Sequence, residues 1–212
     1  MADIFKEVEE DLRREGLEKI WRRYAPHVIA AAVIVVLATA GVAGWRNYSE
    51  SRQDARAREF AAAVDLVAQS NLDGASKAFE AIGGNDGYSA LARFQMATLM
   101  VKSGDTAGAA AIYQMLSTDT TIDRPFRELA VVLGALMEAD TADPADLTTR
   151  LAPLTADGNP WRYSALEITG LVARRSGDKT RAEAIFSKLA DDPDAPQGLR
   201  ARAAELLQAM KG

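Results

Sequence analysis

The sequence predicts an all-α protein in which a single N-terminal transmembrane helix is followed by an α-solenoid of about four helix pairs plus a capping helix. Three observations support this fold class. A long stretch near the N-terminus carries no charged side chain, similar segments recur through the rest of the chain, and Ala is abundant while aromatic residues make up only 7%. Ala favours closely packed helices and fills the core of a β-sandwich poorly.

The charge-free stretch runs from Tyr24 to Trp45. A helix needs about 20 apolar residues to cross a bilayer, so we predict a transmembrane signal anchor over residues 24–46. A buried core helix of this length rarely lacks a charge. A cleaved signal peptide would have a shorter and more basic leader. The predicted domains are therefore an N-terminal segment (1–23), the anchor (24–46) and a repeat domain (47–212).

The orientation of the anchor depends on the basic residues close to its ends. Five precede it and four are at its end or beyond: Arg13, Arg14, Lys19, Arg22 and Arg23, against Arg46, Arg52, Arg56 and Arg58. The small excess on the N-terminal side favours a cytoplasmic N-terminus. A long C-terminal domain can cross the membrane regardless of its charge, so we expect the repeat domain to be exported.

Residues 1–23 place apolar side chains at helical spacing among charges, which predicts an amphipathic segment. Two interpretations stay open for it. The segment is either an interfacial helix or docking site for a cytoplasmic partner, or a helical extension of the anchor. In the anchor itself, Gly41 and Gly44 would suit a dimer face, although small residues are common in membrane helices.

The repeats are clearest in two segments that align without gaps, Ser103–Asp119 (SGDTAGAAAIYQMLSTD) and Ser176–Asp192 (SGDKTRAEAIFSKLADD). Their separation of 73 residues is close to twice the 34-residue period of tetratricopeptide repeats. Two further copies match in their apolar positions: Ala75, Phe79 and Ile82 precede Ala109, Tyr113 and Leu116 by 34 residues, and Leu147, Leu151 and Leu154 precede Ala182, Phe186 and Leu189 by 35 residues. We therefore predict a tetratricopeptide-like α-solenoid.

Each predicted repeat consists of two helices joined by a short turn. Gly104-Asp105 and Gly177-Asp178 end one helix and begin the next, because Gly adopts the left-handed conformation and Asp caps a helix N-terminus. The predicted pairs are 50–70 with 73–82, 87–103 with 106–117, 124–139 with 144–154, and 160–176 with 179–190, followed by a capping helix at 197–210.

The composition argues against several classes of function. The net charge of -5 disfavours nucleic-acid binding, which requires a basic surface. The chain has no Cys and a single histidine, His27, so disulfides and metal centres built from these residues are not expected. Nucleotide-binding, zinc-protease and serine-hydrolase motifs are absent from the sequence. We expect no enzyme activity, no cofactor, no metal and no small-molecule substrate.

Candidate protein-binding residues lie on the first helix of each pair, since these helices line the groove of a solenoid. The polar and aromatic side chains predicted there are Arg93, Gln95, Arg127, Glu128, Trp161, Arg162 and Glu167. Trp161 is either an anchor for a bound partner or a residue that packs between neighbouring repeats. The arginines are also compatible with an ordinary solvated surface.

The order of elements resembles the YfgM-like family, the ancillary subunits of the Sec translocon. The resemblance covers essentially the whole chain, including the charged segment DIFKEVEEDLRREGLEKIWRRY, the predicted span and the degenerate repeats. The phrases PFRELA (Pro125–Ala130), NPWRYSALE (Asn159–Glu167) and APQGLRARAAELL (Ala195–Leu207) are similar to the alphaproteobacterial branch. The motifs are architectural, so the resemblance implies no catalytic residue.

The resemblance implies a bacterial inner-membrane protein with its repeat domain in the periplasm. The implied partners are the SecYEG translocon, a periplasmic chaperone and unfolded exported clients, with the bilayer contacted through residues 24–46. We thus expect a membrane-anchored, protein-binding adaptor at the Sec translocon that assists the chaperone handling of exported proteins. Two alternatives are a structural scaffold for envelope or cell-division complexes without client binding, and a regulator that sequesters a signalling protein through residues 1–23.

Overall fold

The computed structural model describes residues 37–42, 44–46, 48–49, 51–84 and 86–211, and the regular structure in these ranges is helical. The chain divides into two compact units between Ala55 and Arg56. The predicted amphipathic segment (1–23) and most of the predicted anchor (24–46) lie outside the described residues. Within the ranges given, no helix has both the length and the apolar character needed to cross a bilayer.

In the first unit, the described residues 37–42, 44–46, 48–49 and 51–55 are helical. Their large apolar side chains are exposed, among them Leu37, Val42 and Trp45. The guanidinium of Arg52 lies 4.7 Å from the centre of the Tyr48 ring, which is a cation–π distance. The described end of the predicted anchor therefore presents an apolar surface.

The second unit is built from short helices that follow one another closely. They are α1 (56–68), α2 (Leu72–Ala81), α3 (Gly87–Lys102), α4 (Thr106–Thr118), α5 (Arg124–Glu138), α6 (Pro144–Leu151) with a 3-10 turn (Ala152–Thr155), α7 (Arg162–Arg175), α8 (Lys179–Asp191) and α9 (Gln197–Lys211). From α2 onward, each helix packs on the next, and α5 also contacts α7. The predicted helix pairs and the capping helix are observed, which confirms the all-α prediction for this part of the chain.

The second helix of each pair, together with the residues directly after it in the first and third pairs, buries three residues at spacing i, i+4, i+7, which puts them on one side of the helix. These residues are Ala75, Phe79 and Ile82; Ala109, Tyr113 and Leu116; Leu147, Leu151 and Leu154; and Ala182, Phe186 and Leu189. None of them is more than 4% exposed. In three of the sets the first residue is Ala and the second is Phe or Tyr, whereas the third set has Leu147 and Leu151 at these positions. The extra volume of Leu147 compensates for the smaller volume of Leu151, so the total buried volume is similar.

The turns inside the pairs follow the predicted chemistry. The residues before α2, α4, α6 and α8 are Asn71, Asp105, Asp143 and Asp178, and each side chain accepts a hydrogen bond from a backbone N–H of the first turn at 2.8–3.1 Å. Gly104 and Gly177 have φ of 88° and 82°, where a side chain would be strained. Capping satisfies N–H groups that a helix leaves unpaired at its start.

Gly170 of α7 lies directly against the ring of Phe186 of α8. A Cβ atom at Gly170 would lie 2.7 Å from Cε1 of the Phe186 ring, closer than carbon atoms approach. The ring is fully buried and therefore has no space to move aside. Gly170 is thus required by the distance between the two helices.

We expect Gly170→Ala to lower the free energy of unfolding by about 1–3 kcal/mol, because the added methyl group overpacks this contact. The matched control is Gly198→Ala in α9, where the added Cβ meets no atom closer than 3.7 Å. That variant should gain up to about 1 kcal/mol from helix propensity. Urea unfolding followed by circular dichroism measures the free energy of unfolding of both variants. Equal stability of the two variants would contradict the close approach of Gly170 to Phe186.

Candidate protein-binding groove

A groove lies between the first helices of two consecutive pairs, α5 and α7. Its volume is about 480 Å³, and Arg202 from α9 stands at its edge. We call it the α5–α7 groove; α5 contributes Leu129, Val132, Leu133 and Leu136, and α7 contributes Ser164, Glu167, Ile168 and Leu171, with Trp161 directly before α7. Both sets follow the i, i+3, i+4, i+7 spacing of one helix face.

The surface of the groove is mainly aliphatic. Val132 and Ile168 are buried and form its floor. Leu133 and Leu171 are partly exposed, and Leu136 is 44% exposed. Apolar side chains that line a concave surface and remain in contact with water favour the binding of apolar groups from another molecule.

Trp161 is held in place by two hydrogen bonds at one side of this groove. Its indole Nε1 donates to the backbone oxygen of Pro125 at 2.9 Å, and its backbone N–H donates to Oδ1 of Asn159 at 2.8 Å. The ring also packs against the buried cluster that contains Leu147 and Leu151. Trp161 therefore packs between neighbouring repeats and also lines the groove, whereas its role as an anchor for a bound partner stays a prediction.

Glu167 is the carboxylate of the groove, and it forms a bidentate ion pair with Arg202. Nε of Arg202 donates to Oε1 at 2.7 Å, and Nη2 donates to Oε2 at 3.0 Å. The hydrogen bonds with Glu167 raise the pKa of Arg202 above its usual value. The pair joins α7 to α9 and leaves the polar edge of the groove without a net charge.

Arg93 lies on α3, away from the groove. Its Nη1 donates to Oδ2 of Asp119 and its Nη2 donates to the backbone oxygen of Gly84, both at 3.2 Å. The pKa of Asp119 is below its ordinary value, mainly because the hydroxyl and backbone N–H of Thr121 donate to it, and secondarily because of Arg93. Arg93 thus connects the loop before α3, through Gly84, with the loop after α4, through Asp119.

Glu128 and Arg162 also form contacts between elements. Glu128 accepts from Nε of Arg124 at 2.7 Å and from Nδ2 of Asn159 at 3.1 Å, which joins α5 to the segment before α7. The guanidinium of Arg162 lies 3.4 Å from Asp192, at the end of α8. Both side chains are largely buried, so these polar groups hold neighbouring elements together.

Gln95 and Arg127 are half-buried, and neither side chain forms a hydrogen bond or ion pair within the described residues. Of the seven predicted groove residues, the structure brings only Trp161 and Glu167 together in the α5–α7 groove. Whether any of the seven binds a partner stays a prediction. Sequence reasoning missed the leucines, although Leu129, Leu133 and Leu136 repeat on one face of α5 beyond what the buried core requires.

A smaller cavity of about 130 Å³ lies between the starts of α3 and α5. Leu91 and Phe126 line it, and both are among the exposed large apolar residues. The first helices therefore leave apolar surface at this junction as well as in the α5–α7 groove. Within the ranges that the structure describes, no group of three His, Cys, Asp or Glu side chains is placed to hold a metal ion.

Comparison with known sequences gives one match. The sequence model of a family described as a tetratricopeptide repeat-like domain matches residues 18–209. No curated protein and no solved structure matches the chain. The matched range contains all of α1 to α8 and nearly all of α9.

We expect Thr121→Ala to raise the pKa of Asp119 towards its ordinary value, because both the hydroxyl donor and the turn geometry that it supports are altered. Arg93→Gln should raise this pKa less, and Thr120→Ala, at an exposed neighbouring position without a described side-chain bond, should leave it unchanged. Carboxyl NMR titration measures all three. Because the folded-state pKa is lowered, the stabilisation by ionised Asp119 is present above the unfolded-state pKa and is lost as pH falls through the folded-state pKa.

The three variants should lower the free energy of unfolding at neutral pH in the same order in which they raise the pKa of Asp119. The difference in unfolding free energy between the native chain and Thr121→Ala should be larger at neutral pH than in acid below the folded-state pKa of Asp119. A rise in the Asp119 pKa for Arg93→Gln that exceeds the one for Thr121→Ala would contradict the assigned order of causes.

Proposed function

Because the chain belongs to the tetratricopeptide repeat-like family, we propose that it is a membrane-anchored adaptor at the bacterial Sec translocon that binds proteins through the α5–α7 groove. Repeats of this kind suggest a role in protein–protein interaction. The observation that carries the proposal is the row of partly exposed leucines in the groove, with Leu136 in open contact with water. We further propose that the protein has no enzyme activity.

The chemistry of the groove suits segments of unfolded exported proteins. Such segments expose apolar side chains that a folded protein would bury, and the aliphatic walls between α5 and α7 can cover them. The Glu167–Arg202 pair at the edge has its charges already satisfied, so it neither demands a particular partner charge nor leaves a carboxylate unpaired. A neutral, aliphatic groove is consistent with clients of varied sequence.

The proposed membrane anchor is the charge-free stretch over residues 24–46. Its length agrees with a single span, and the exposed Leu37, Val42 and Trp45 would suit a lipid-facing end. The excess of basic residues before the stretch supports a cytoplasmic N-terminus and a periplasmic repeat domain. In this orientation the groove would be available to chains that leave the translocon.

The proposed partners are the SecYEG translocon, a periplasmic chaperone and unfolded exported clients. Their support is the resemblance to the YfgM-like family, which joins a charged N-terminal segment, one span and degenerate repeats in this order. A client that leaves the channel would be held at the groove until the chaperone takes it. A scaffold for envelope or cell-division complexes would have no need of contact with unfolded chains, and this difference can be measured.

Membrane topology is the first test. A reporter that is active only outside the cytoplasm, fused after Gly212, should be active when the full chain is expressed, because the proposal places the repeat domain in the periplasm. A second fusion with a reporter that is active only in the cytoplasm serves as the control and should stay silent. The reverse pattern would rule out client capture at the translocon exit.

Site-specific photocrosslinking tests the groove. A photoreactive residue at Leu136, which is exposed in the groove, should crosslink to an exported chain that is stalled in the translocon. The control position is Met115 on α4, which is 59% exposed but does not line the groove. It should give no such crosslink, because exposure of an apolar side chain alone is not sufficient for client contact.

The other outcomes of this experiment are equally informative. Crosslinks from position 136 to folded envelope proteins alone would favour the scaffold and contradict client binding. Equal client crosslinks from positions 136 and 115 would show non-specific contact with the whole domain. Absence of client crosslinks from both positions, with the topology as proposed, would remove the groove from the mechanism.

A further inference from the structure

A second groove lies on the other side of α7, between α6 with its 3-10 turn and α8. Its volume is about 380 Å³, and we call it the α6–α8 groove. Leu166 and Thr169 of α7 face it, whereas Glu167, Ile168 and Leu171 face the α5–α7 groove. Successive residues rotate by about 100° around a helix, so these two sets lie on opposite sides of α7.

The charge of the α6–α8 groove differs from that of its counterpart. Arg181 and Lys188 line it, and its lining includes no carboxylate. Both side chains are exposed, and within the described residues neither forms an ion pair. The nearby Arg150 on α6 is different, since it pairs with Glu138 and with Asp146. The groove therefore carries two cations that no carboxylate of the described residues neutralises.

The distance between these two cations matches the distance between side chains two turns apart on a helical ligand. Arg181 and Lys188 are seven residues apart on one face of α8, or about 10 Å along its axis at 1.5 Å per residue. Between them lie Ala184 and Ile185, and Ala152 faces them from the 3-10 turn. The two alanines are exposed and small, so another helix could approach closely and place apolar side chains on Ile185 and Leu166.

We propose that the α6–α8 groove docks an acidic amphipathic helix of a partner protein, with carboxylates two turns apart beside an apolar stripe. Such a helix supplies counter-charges to Arg181 and Lys188 and covers the aliphatic floor between them. A small anion would leave this floor uncovered. A bilayer surface would bring lipid headgroups onto the exposed carboxylate of Asp191, three residues after Lys188, as well as onto the cations. This surface is separate from the proposed client groove and does not depend on it.

The test uses the full chain in nanodiscs of phosphatidylcholine, with empty nanodiscs as background. The probe is a fluorescent peptide of roughly 15 residues, long enough to be helical, with leucines on one face and two glutamates seven positions apart. A second peptide replaces both glutamates with glutamine. At low salt, we expect the native chain to bind the glutamate peptide roughly tenfold more tightly than the glutamine peptide. The difference in affinity should be smaller at high salt, because salt screens the ion pairs.

Two double variants with the same change in net charge identify the site. Arg181→Glu/Lys188→Glu should abolish the preference for the glutamate peptide. Lys77→Glu/Lys102→Glu changes exposed lysines on α2 and α3 and should retain it. Ala184→Trp, which fills the floor between the two cations and leaves the net charge unchanged, should weaken the binding of both peptides. Thermal unfolding by circular dichroism should be nearly unchanged in the charge variants, because all four side chains are exposed.

Three results would overturn the proposal. The first is equal affinity of the native chain for the two peptides, or no binding of either. The second is an equal loss of preference in both double variants, which would indicate the overall charge. The third is binding to vesicles that contain phosphatidylglycerol, dependent on Arg181 and Lys188, without a preference between the peptides; the groove would then be a lipid-headgroup site.

Discussion

The contact between a large buried side chain and a facing glycine sets the distance between helices at two interfaces of the repeat domain, α7–α8 and α4–α5. Phe186 of α8 lies against Gly170 of α7, and a Cβ at Gly134 of α5 would lie 3.3 Å from Cβ of Tyr113. The rings bury apolar area, while the glycines permit the close approach that makes this burial complete. Each helix pair needs its neighbours for a closed core, so the domain depends on the repetition of this contact.

The polar side chains of the first helices serve mainly to join one pair to the next. Glu128 and Trp161 connect α5 with the start of α7, and Glu167 connects α7 with α9. Partly buried charged groups are costly without partners, so they satisfy one another inside the protein. This arrangement removes most polar groups from the α5–α7 groove and leaves it lined by leucines. Its chemistry is consequently that of an apolar surface with a neutral edge.

A single helix, α7, separates two surfaces of different chemistry. One side carries Ile168 and Leu171 in an aliphatic groove. The other carries Leu166 and Thr169 beneath Arg181 and Lys188 of α8, which form no ion pair within the described residues. Because the two sides are separated by the thickness of one helix, a partner on one surface need not exclude a partner on the other.

The repeat core could be predicted from the sequence because it rests on local rules. The period of Ala109, Tyr113 and Leu116, together with the Gly-Asp turns, defines helix faces and helix ends within a few residues of chain. The third repeat is less evident from the sequence, because Leu147 and Leu151 differ in type from the Ala and aromatic residue of the other repeats and match them only in total volume. The membrane span and segment 1–23 stay predictions from the sequence, since they lie mostly outside the described residues.

For the described part of the repeat domain, the sequence by itself determined that the chain is helical, approximately where the helices begin and end, and which positions of each repeat are buried. Only the tertiary structure decided which polar residues are free. Arg93, Glu128 and Arg162 have partners 26 to 31 residues away in the chain, and helical periodicity carries no information about such contacts. The same holds for Arg181 and Lys188, whose common groove exists only because α6 packs across α7 from α8.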